Sequence, residues 1–144
     1  MNKNNSNGLS TLFFNLLPKQ NINPPELDFR DRFSFEQRST ECARIFSKFP
    51  GRIPVIVQRN NKNNNNETPK IDKEKFLVPG DLTLGQFVFV IRKRINLSSE
   101  KALFLFVGNT LPTTGSLMRE IYQMHKDNDG FLYAIYSGEN SFGK

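Results

Sequence analysis

The chain has 144 residues, which suits one domain with short tails. Its net charge of +6 permits acidic proteins, anionic membranes or nucleic acid as partners. Lysine and arginine are spread along the chain without an aromatic-basic repeat, so we expect no nucleic-acid partner. The single cysteine, Cys42, excludes an internal disulfide, and no apolar stretch approaches the roughly 20 residues of a membrane span. Composition therefore predicts a cytoplasmic protein.

Residues 1–24 form a leader that we expect to be flexible. Within it, the segment 9–17 has the apolar spacing of one helical face, carried by Leu9, Leu12, Phe13, Leu16 and Leu17. About two helical turns are unstable alone. The pattern therefore leaves open a loosely packed segment, a segment that contacts membranes, or one that docks on the protein's own surface.

A helix is predicted from Phe35 to Phe49, and Pro50 ends it. The apolar side that we expect to face the core consists of Phe35, Ser39, Cys42, Phe46 and Phe49. A second stripe of mixed character, free to make another contact, consists of Glu41, Ile45 and Lys48.

Two strands follow at 52–57 and 75–78, separated by an asparagine-rich loop at 60–66. Pro54 cannot donate a ladder hydrogen bond, so its part of the first strand should lie at an edge or a bulge. A helix over 83–95 can be capped by Asp81 or Thr83. Its predicted core stripe consists of Leu84, Phe87, Val88, Ile91 and Ile95.

The segment 102–107 is apolar on both faces, which predicts a central strand. A short helix from Leu117 to His125 and a last strand from Phe131 to Ser137 complete the domain, which we place at 25–143. The order after the first helix is ββαβαβ. This order predicts an α+β fold of the ubiquitin-like β-grasp type, with a mixed four-stranded sheet wrapped on one main helix.

The sequence does not predict an active site. Cys42 and His125 are the only residues of their types, and a Cys–His nucleophile pair would have to use both. Cys42 lies on the predicted core face, whereas His125 ends a surface helix. One Cys and one His cannot build a zinc site, and the turn at 127–130 places its glycine wrongly for a calcium loop. We therefore expect neither an enzyme nor a cofactor or metal.

Several apolar residues exceed what the core needs, and cations flank them. The apolar residues are Ile45, Phe76, Val78, Leu82, Phe87 and Val90, and the cations are Arg52, Lys73, Lys75 and Arg94. If the strand at 75–78 is an edge, it can pair with an extended peptide whose side chains enter the flanking pockets. Ordinary core packing of the same residues is the alternative.

Residues 27–143 resemble the autophagy ubiquitin-like modifiers, the family of the GABA-receptor-associated protein and the microtubule-associated protein light chain 3. The matching segments are Phe35-Glu36-x-Arg38, Lys48-Phe49-Pro50-x-Arg52-Ile53-Pro54-Val55-Ile56-Val57, Lys75-Phe76-Leu77-Val78-Pro79-x-Asp81-Leu82-Thr83, Gly85-Gln86-Phe87, Ile91-Arg92-Lys93-Arg94, Asp129-Gly130-Phe131-Leu132-Tyr133, Tyr136-Ser137 and Phe142-Gly143. The segment from Asp81 to Phe87 is more similar to the GABA-receptor-associated branch. The leader and the asparagine-rich loop depart from the family pattern.

The resemblance implies two short N-terminal helices before the β-grasp core. It also implies cleavage after Gly143 by a cysteine protease, which removes Lys144. Activating and conjugating enzymes would then carry Gly143 to the amine of phosphatidylethanolamine. The lipidated protein would lie on the autophagosome membrane and reach the vacuolar or lysosomal compartment, where it would support autophagosome formation and recruit cargo receptors.

The resemblance further implies two pockets for a receptor motif of the form aromatic-x-x-aliphatic. The aromatic pocket would consist of Glu41, Ile45, Pro54, Lys75, Leu77 and Phe131. The aliphatic pocket would consist of Phe76, Val78, Pro79, Leu82, Phe87 and Val90. Arg52 and Arg94 would contact acidic groups beside the motif. The alternative is an unconjugated adaptor that binds peptides or the acidic surface of tubulin.

Overall fold

A computed structural model describes residues 27–61 and 68–139. The predictions for the leader at 1–24, its segment 9–17, most of the asparagine-rich loop, Gly143 and Lys144 lie outside the described residues. The elements, in chain order, are α1 (Phe29–Arg32), α2 (Phe35–Lys48), β1 (Arg52–Arg59), β2 (Lys75–Pro79), α3 (Leu84–Arg94), β3 (Phe104–Val107), α4 (Met118–His125) and β4 (Leu132–Ser137). The two N-terminal helices and the ββαβαβ order are therefore confirmed.

The four strands form one sheet in the order β2-β1-β4-β3. β1 runs antiparallel to β2 and parallel to β4, and β3 runs antiparallel to β4. The ubiquitin-like fold with a mixed four-stranded sheet is thus confirmed. β2 lies at one edge, as a strand that accepts an added peptide must.

β3 lies at the opposite edge, so the central position predicted for 102–107 is wrong. Leu105 and Val107 join the core that contains α3, while Phe106 is buried on the other face with 5% exposure. Burial of both faces depends on the layers above and below a sheet, and it does not require a strand neighbour on each side. An edge strand can therefore be apolar throughout.

Two helical layers cover the sheet. On the face that we call the α3 face, Ile53, Val55 and Val57 of β1 pack with Phe87 and Ile91 of α3. On the opposite face, the α2 face, the buried cluster consists of Phe29, Phe33, Cys42, Ile45, Ile56 and Phe131. Each fully buried large apolar side chain contributes roughly 1.5–3 kcal/mol. The sheet wraps on α3 as predicted, and the N-terminal helices form the second layer.

The side of α2 that faces the sheet differs from the predicted one. Cys42 is buried as predicted. Arg38, Glu41 and Ile45 are also buried, although they were not assigned to the core face. In contrast, Phe35, Phe46 and Phe49 are 53%, 39% and 36% exposed. The predicted core face is therefore wrong for its three phenylalanines, and much of the stripe assigned to a second contact forms the core face.

Each buried charged residue of α2, Arg38 and Glu41, forms an ion pair with a residue elsewhere in the fold. Arg38 Nε donates to Asp129 Oδ2 at 2.7 Å, and Lys75 Nζ donates to Glu41 Oε2 at 3.1 Å. A buried charge that is paired and hydrogen-bonded avoids most of the cost of leaving water. Hydrophobic periodicity cannot detect such pairs, because the partners are 91 and 34 residues apart in sequence.

Local signals predicted α3 well. Thr83 is its N-cap, and its hydroxyl accepts a hydrogen bond from Gln86 N at 3.2 Å while Gln86 Oε1 accepts one from Thr83 N at 2.9 Å. This reciprocal pair is a capping box. Three cations in the last turn, Arg92, Lys93 and Arg94, interact favourably with the helix dipole.

Pro54 lies where β1 has a neighbour on one side only. Val57 N donates to Glu74 O on the β2 side, and Asn60 N donates to Tyr136 O on the β4 side. Amide directions alternate along a strand, so the nitrogen of Pro54 points toward β4. The ladder with β4 begins only at Val55, and the missing N–H of Pro54 therefore costs no ladder bond.

Candidate peptide-binding groove

Among the described residues, β2 has a strand neighbour on one side only, so its other side forms an edge of the sheet. Val57 N donates to Glu74 O at 2.8 Å, and the same register pairs Val55 with Phe76. In an antiparallel ladder the residues between such pairs turn their backbone groups away. The backbone groups of Lys75 and Leu77 therefore face outward, and Arg52 Nη1 donates to Leu77 O at 3.2 Å.

The structure places the two predicted pockets on opposite faces of the sheet. Of the aromatic pocket, Ile45 and Phe131 belong to the buried cluster of the α2 face, with Leu77 packed against it. Of the aliphatic pocket, Phe76, Val78 and Phe87 belong to the core of the α3 face, with Leu82 packed against it. The exposed residues of the aliphatic set are Pro79 and Val90. β2 therefore runs between the two predicted pockets.

A buried ion pair lies at the aromatic pocket. The side chains of Glu41 and Lys75 are only 3% and 5% exposed, and Arg44 Nη1 approaches Glu41 Oε1 at 3.3 Å from the solvent side. Burial lowers the pKa of Lys75 because it disfavours the charged ammonium, and the carboxylate of Glu41 opposes that shift. The pocket thus combines a charged pair with apolar walls.

Phe131, which was assigned to the aromatic pocket, packs against other aromatic rings. Phe131 is fully buried and meets the Phe29 ring edge-on at a centroid distance of 5.4 Å. Its backbone is held by Asp129, whose Oδ1 accepts a hydrogen bond from Phe131 N at 2.8 Å. Asp129 Oδ2 accepts from both Arg38 Nε, at 2.7 Å, and Tyr133 Oη, at 2.6 Å. One buried carboxylate therefore connects Phe131, Arg38 and Tyr133.

The role of Asp129 was not predicted from the sequence. It lies in the acidic turn at 127–130, which was rejected as a calcium loop and matched the family pattern, without a role for Asp129. Burial, together with the hydrogen bond to Asp129, raises the pKa of Tyr133 well above its usual range. The feature that identifies Asp129 is the complete burial of its side chain, which is seen only in the folded structure.

The residues assigned to the aliphatic pocket are apolar and half of them are buried, and cations lie beside them. The rings of Phe76 and Phe87 meet edge-on at 5.6 Å, and Lys73 Nζ lies 5.0 Å from the centre of the Phe76 ring. Burial and the nearby Arg94 lower the pKa of Lys73. Arg94 Nε donates to Asp72 Oδ1 at 3.0 Å in an exposed pair. The rim therefore carries the cations Lys73 and Arg94 beside one carboxylate.

Cys42 is structural. Its side chain is 2% exposed, and burial raises the pKa of the thiol from its ordinary 9.0 to about 12. It packs so closely on Gly130 that a Cβ at that glycine would lie 2.6 Å from the sulfur, and Gly130 also has a positive φ of 100°. Within 27–61 and 68–139, no group of three His, Cys, Asp or Glu could hold a metal, and no helix is long and apolar enough to cross a membrane.

Comparison with known proteins identifies the family. A family model described as "Autophagy protein Atg8 ubiquitin like" matches residues 37–143. Autophagy-related protein 8 of Kluyveromyces lactis is 60% identical over 115 residues, which cover 80% of this chain and 90% of that protein. Autophagy-related protein 8e of Arabidopsis thaliana is 62% identical over 109 residues, which cover 76% and 87%.

Solved structures show the same likeness. Plasmodium falciparum Atg8 in complex with a Plasmodium falciparum Atg3 peptide has a TM-score of 0.72 and 41% identity, covering 81% of this chain and all of that one. Trypanosoma brucei ATG8 also has a TM-score of 0.72, with 40% identity and 83% coverage of this chain. The closer likeness to the GABA-receptor-associated branch stays a prediction. The chain belongs to the Atg8 family and is a ubiquitin-like modifier of autophagy.

Proposed function

We propose that the chain is joined through Gly143 to phosphatidylethanolamine on autophagosomal membranes and there recruits cargo receptors. Family membership and the terminal Phe142-Gly143-Lys144 support the conjugation. A cysteine protease removes Lys144, and activating and conjugating enzymes transfer Gly143. β4 ends at Ser137, and the next six residues, 138–143, reach at most about 22 Å from it.

The chain acts as the cargo of these enzymes and not as a catalyst. The Plasmodium falciparum relative was solved with an Atg3 peptide. A conjugating enzyme of the same kind is accordingly the partner that we assign to this chain. In its free form the protein is cytoplasmic, and its lipidated form lies on the autophagosome and later in the vacuolar or lysosomal compartment.

The placement of the two pockets carries the receptor-binding part of the proposal. Side chains of an extended peptide alternate between faces, so residues i and i+3 point to opposite sides of the sheet. An aromatic-x-x-aliphatic motif added beside β2 therefore sends its aromatic residue to the α2 face and its aliphatic residue to the α3 face. Burying these two side chains contributes roughly 3–6 kcal/mol before the ordering costs of binding.

Conjugation is tested by the chemical state of Gly143. We expect mass spectrometry of the protein from starved cells to find Gly143 amide-linked to phosphatidylethanolamine. Gly143→Ala abolishes this species, because a Cβ blocks the narrow channels of the processing enzymes. Lys144→Ala is the matched control and stays conjugated, since the residue is removed anyway. Persistent Lys144, or membrane-bound Gly143→Ala protein, would favour the unconjugated adaptor.

Receptor binding is tested with a peptide that contains Trp-x-x-Leu beside two aspartates. Val90 is 41% exposed at the predicted aliphatic pocket, and Val90→Arg should weaken binding by about tenfold or more, the equivalent of 1.4 kcal/mol. Phe89→Arg is the control, because Phe89 is a neighbouring apolar residue of α3 that is 58% exposed and outside the pocket. Equal losses from both variants would contradict the groove, as would unchanged binding to Val90→Arg.

A further inference from the structure

A cleft of about 580 Å³ opens beyond the end of the groove. It lies where β1 begins and β2 ends, and its lining includes Phe46, Arg52, Ile53, Pro79, Asp81 and Arg119. Arg52 and Pro79 belong to the groove as well. The groove and the cleft are therefore continuous along β2.

The two pockets give the bound peptide a direction. The aromatic pocket uses Lys75 and Leu77 of β2, whereas the aliphatic pocket uses Phe76, Val78 and Pro79. The aliphatic pocket thus lies further toward the C-terminal end of β2. A motif that has its aromatic residue first runs parallel to β2, and the residues after the aliphatic one leave the groove at Pro79, next to the cleft.

We infer that the cleft is a second subsite for the same ligand, which binds an acidic and an apolar residue placed within the four residues that follow the aromatic-x-x-aliphatic motif. This inference rests on the proposed receptor binding. The two pockets recognise only the motif itself. The cleft would in addition distinguish ligands by the residues that follow the motif.

The apolar wall of the cleft is pre-formed. Phe46 projects from α2 with 39% of its surface exposed, and its ring contacts the Tyr122 ring of α4 edge-on at 6.2 Å. Ile53 closes the floor with 6% exposure. An apolar side chain that enters the cleft meets a fixed aromatic surface, so the protein loses little conformational freedom on binding.

The charge of the cleft selects an acidic residue. Arg119 is exposed, and its side chain has no ion-pair or hydrogen-bond partner within the described parts of the chain. Its position is set by the backbone, since Arg119 N donates to Gly80 O at 3.0 Å. Arg52 and Arg119 outweigh Asp81 by one positive charge. A single carboxylate fits this balance better than a strongly acidic run does.

The position of the cleft favours a protein ligand over a lipid surface. β4 runs parallel to β1, with Tyr136 beside Arg59, so the tail leaves the sheet at the Arg59 end of β1. The cleft lies at the Arg52 end, about 23 Å away along the strand. Only an almost fully extended tail that ran back along the sheet would bring Gly143 to this end.

The test compares two synthetic peptides on the full-length protein by isothermal titration calorimetry. The core peptide is Asp-Asp-Trp-Ser-Ser-Leu, and the extended peptide adds Gly-Glu-Ser-Phe. We expect the extension to tighten binding by about tenfold. Arg119→Glu should reduce that gain to less than about twofold and leave the core peptide unaffected, because charge reversal repels the added glutamate. Phe46→Ser should remove the part of this gain in affinity that comes from the phenylalanine of the extended peptide.

Lys101→Glu is the matched control. Lys101 is exposed, lies outside the cleft and precedes β3. Lys101→Glu changes the net charge of the protein by the same amount as Arg119→Glu. If Lys101→Glu removes the tighter binding of the extended peptide as fully as Arg119→Glu does, the second subsite is overturned and the groove is not. The same holds if the wild-type protein binds both peptides equally. Failure of the core peptide to bind overturns the groove and the subsite together. Self-association that Arg119→Glu abolishes would assign the cleft to a second copy of the chain.

Discussion

The two faces of the sheet use charged residues in different ways. On the α2 face, two ion pairs are buried, Lys75 with Glu41 and Arg38 with Asp129, and the side chains of the second pair are 10% and 0% exposed. On the α3 face, the buried contacts are apolar, and charges lie at the rim, as in Arg94 with Asp72, which are 43% and 72% exposed. The groove along β2 therefore has a structural charge network on one side and an adjustable charged rim on the other.

This difference separates stability from recognition. Breaking a buried pair leaves an unpaired charge in a medium that solvates it poorly, and the whole fold is destabilised. An exposed pair is screened by water and salt and contributes little to stability. The same exposed charges can still attract a ligand. We expect substitutions on the α2 face to act through folding and substitutions at the α3 rim to act through binding.

The largest expected effect concerns Cys42, which reports whether the α2 layer opens separately from the rest of the fold. Its burial and raised pKa should slow alkylation by iodoacetamide by about 1,000-fold or more relative to the unfolded chain, if exposure requires global unfolding. The measurement is the alkylation rate at increasing urea concentrations, compared with global unfolding. A much shallower urea dependence would show that α2 detaches locally.

The same thiol predicts a pH dependence. The unfolded thiol ionises near its ordinary pKa of 9.0, whereas the folded one stays protonated until about 12. Between these values the folded state binds more protons, so the free energy of unfolding falls as the pH rises. Cys42→Ala should make the free energy of unfolding fall less steeply between these pH values. An unchanged slope would mean that other groups cause the pH dependence.

The next effect compares two aspartates. Asp129→Ala should lower the free energy of unfolding by about 3–5 kcal/mol, because it leaves Arg38 buried without its partner. Asp72→Ala removes an exposed partner of Arg94 and should cost less than about 1 kcal/mol. Urea denaturation followed by circular dichroism measures both. Similar losses would show that burial does not distinguish the two faces.

The accuracy of the sequence-based predictions follows the same division. The core stripe of α3 was predicted at Leu84, Phe87 and Ile91 because apolar contacts leave a periodic signal. Asp81 and Thr83 were both cap candidates, and the structure has Thr83. The core face of α2 was misassigned because its charged residues depend on partners in distant segments. The edge position of β3 was missed because apolar composition reports burial and not the number of strand neighbours.

The groove was predictable only in part. Some of its residues were singled out by their apolar pattern and flanking cations, the resemblance divided them into two pockets, and the alternating faces of β2 follow from strand geometry. The cleft was not predicted, because α2, β1, β2 and α4 each contribute to its wall and no local pattern connects them. Of its residues, Arg52 and Pro79 had been assigned to the groove, while Arg119 had no recognisable signal.

The smallest expected effect is on recognition at the α3 rim. Asp72 holds Arg94 at 3.0 Å and reduces the positive charge beside Lys73. Asp72→Ala should therefore strengthen binding of the core peptide by about two- to fivefold at low salt, because its aspartates then meet an uncompensated cation. The gain should disappear near 1 M salt, where screening acts over about 3 Å. A gain that persists at high salt would mean that Asp72 acts through the shape of the groove, and the proposed separation of structural from adjustable charge would fail at this rim.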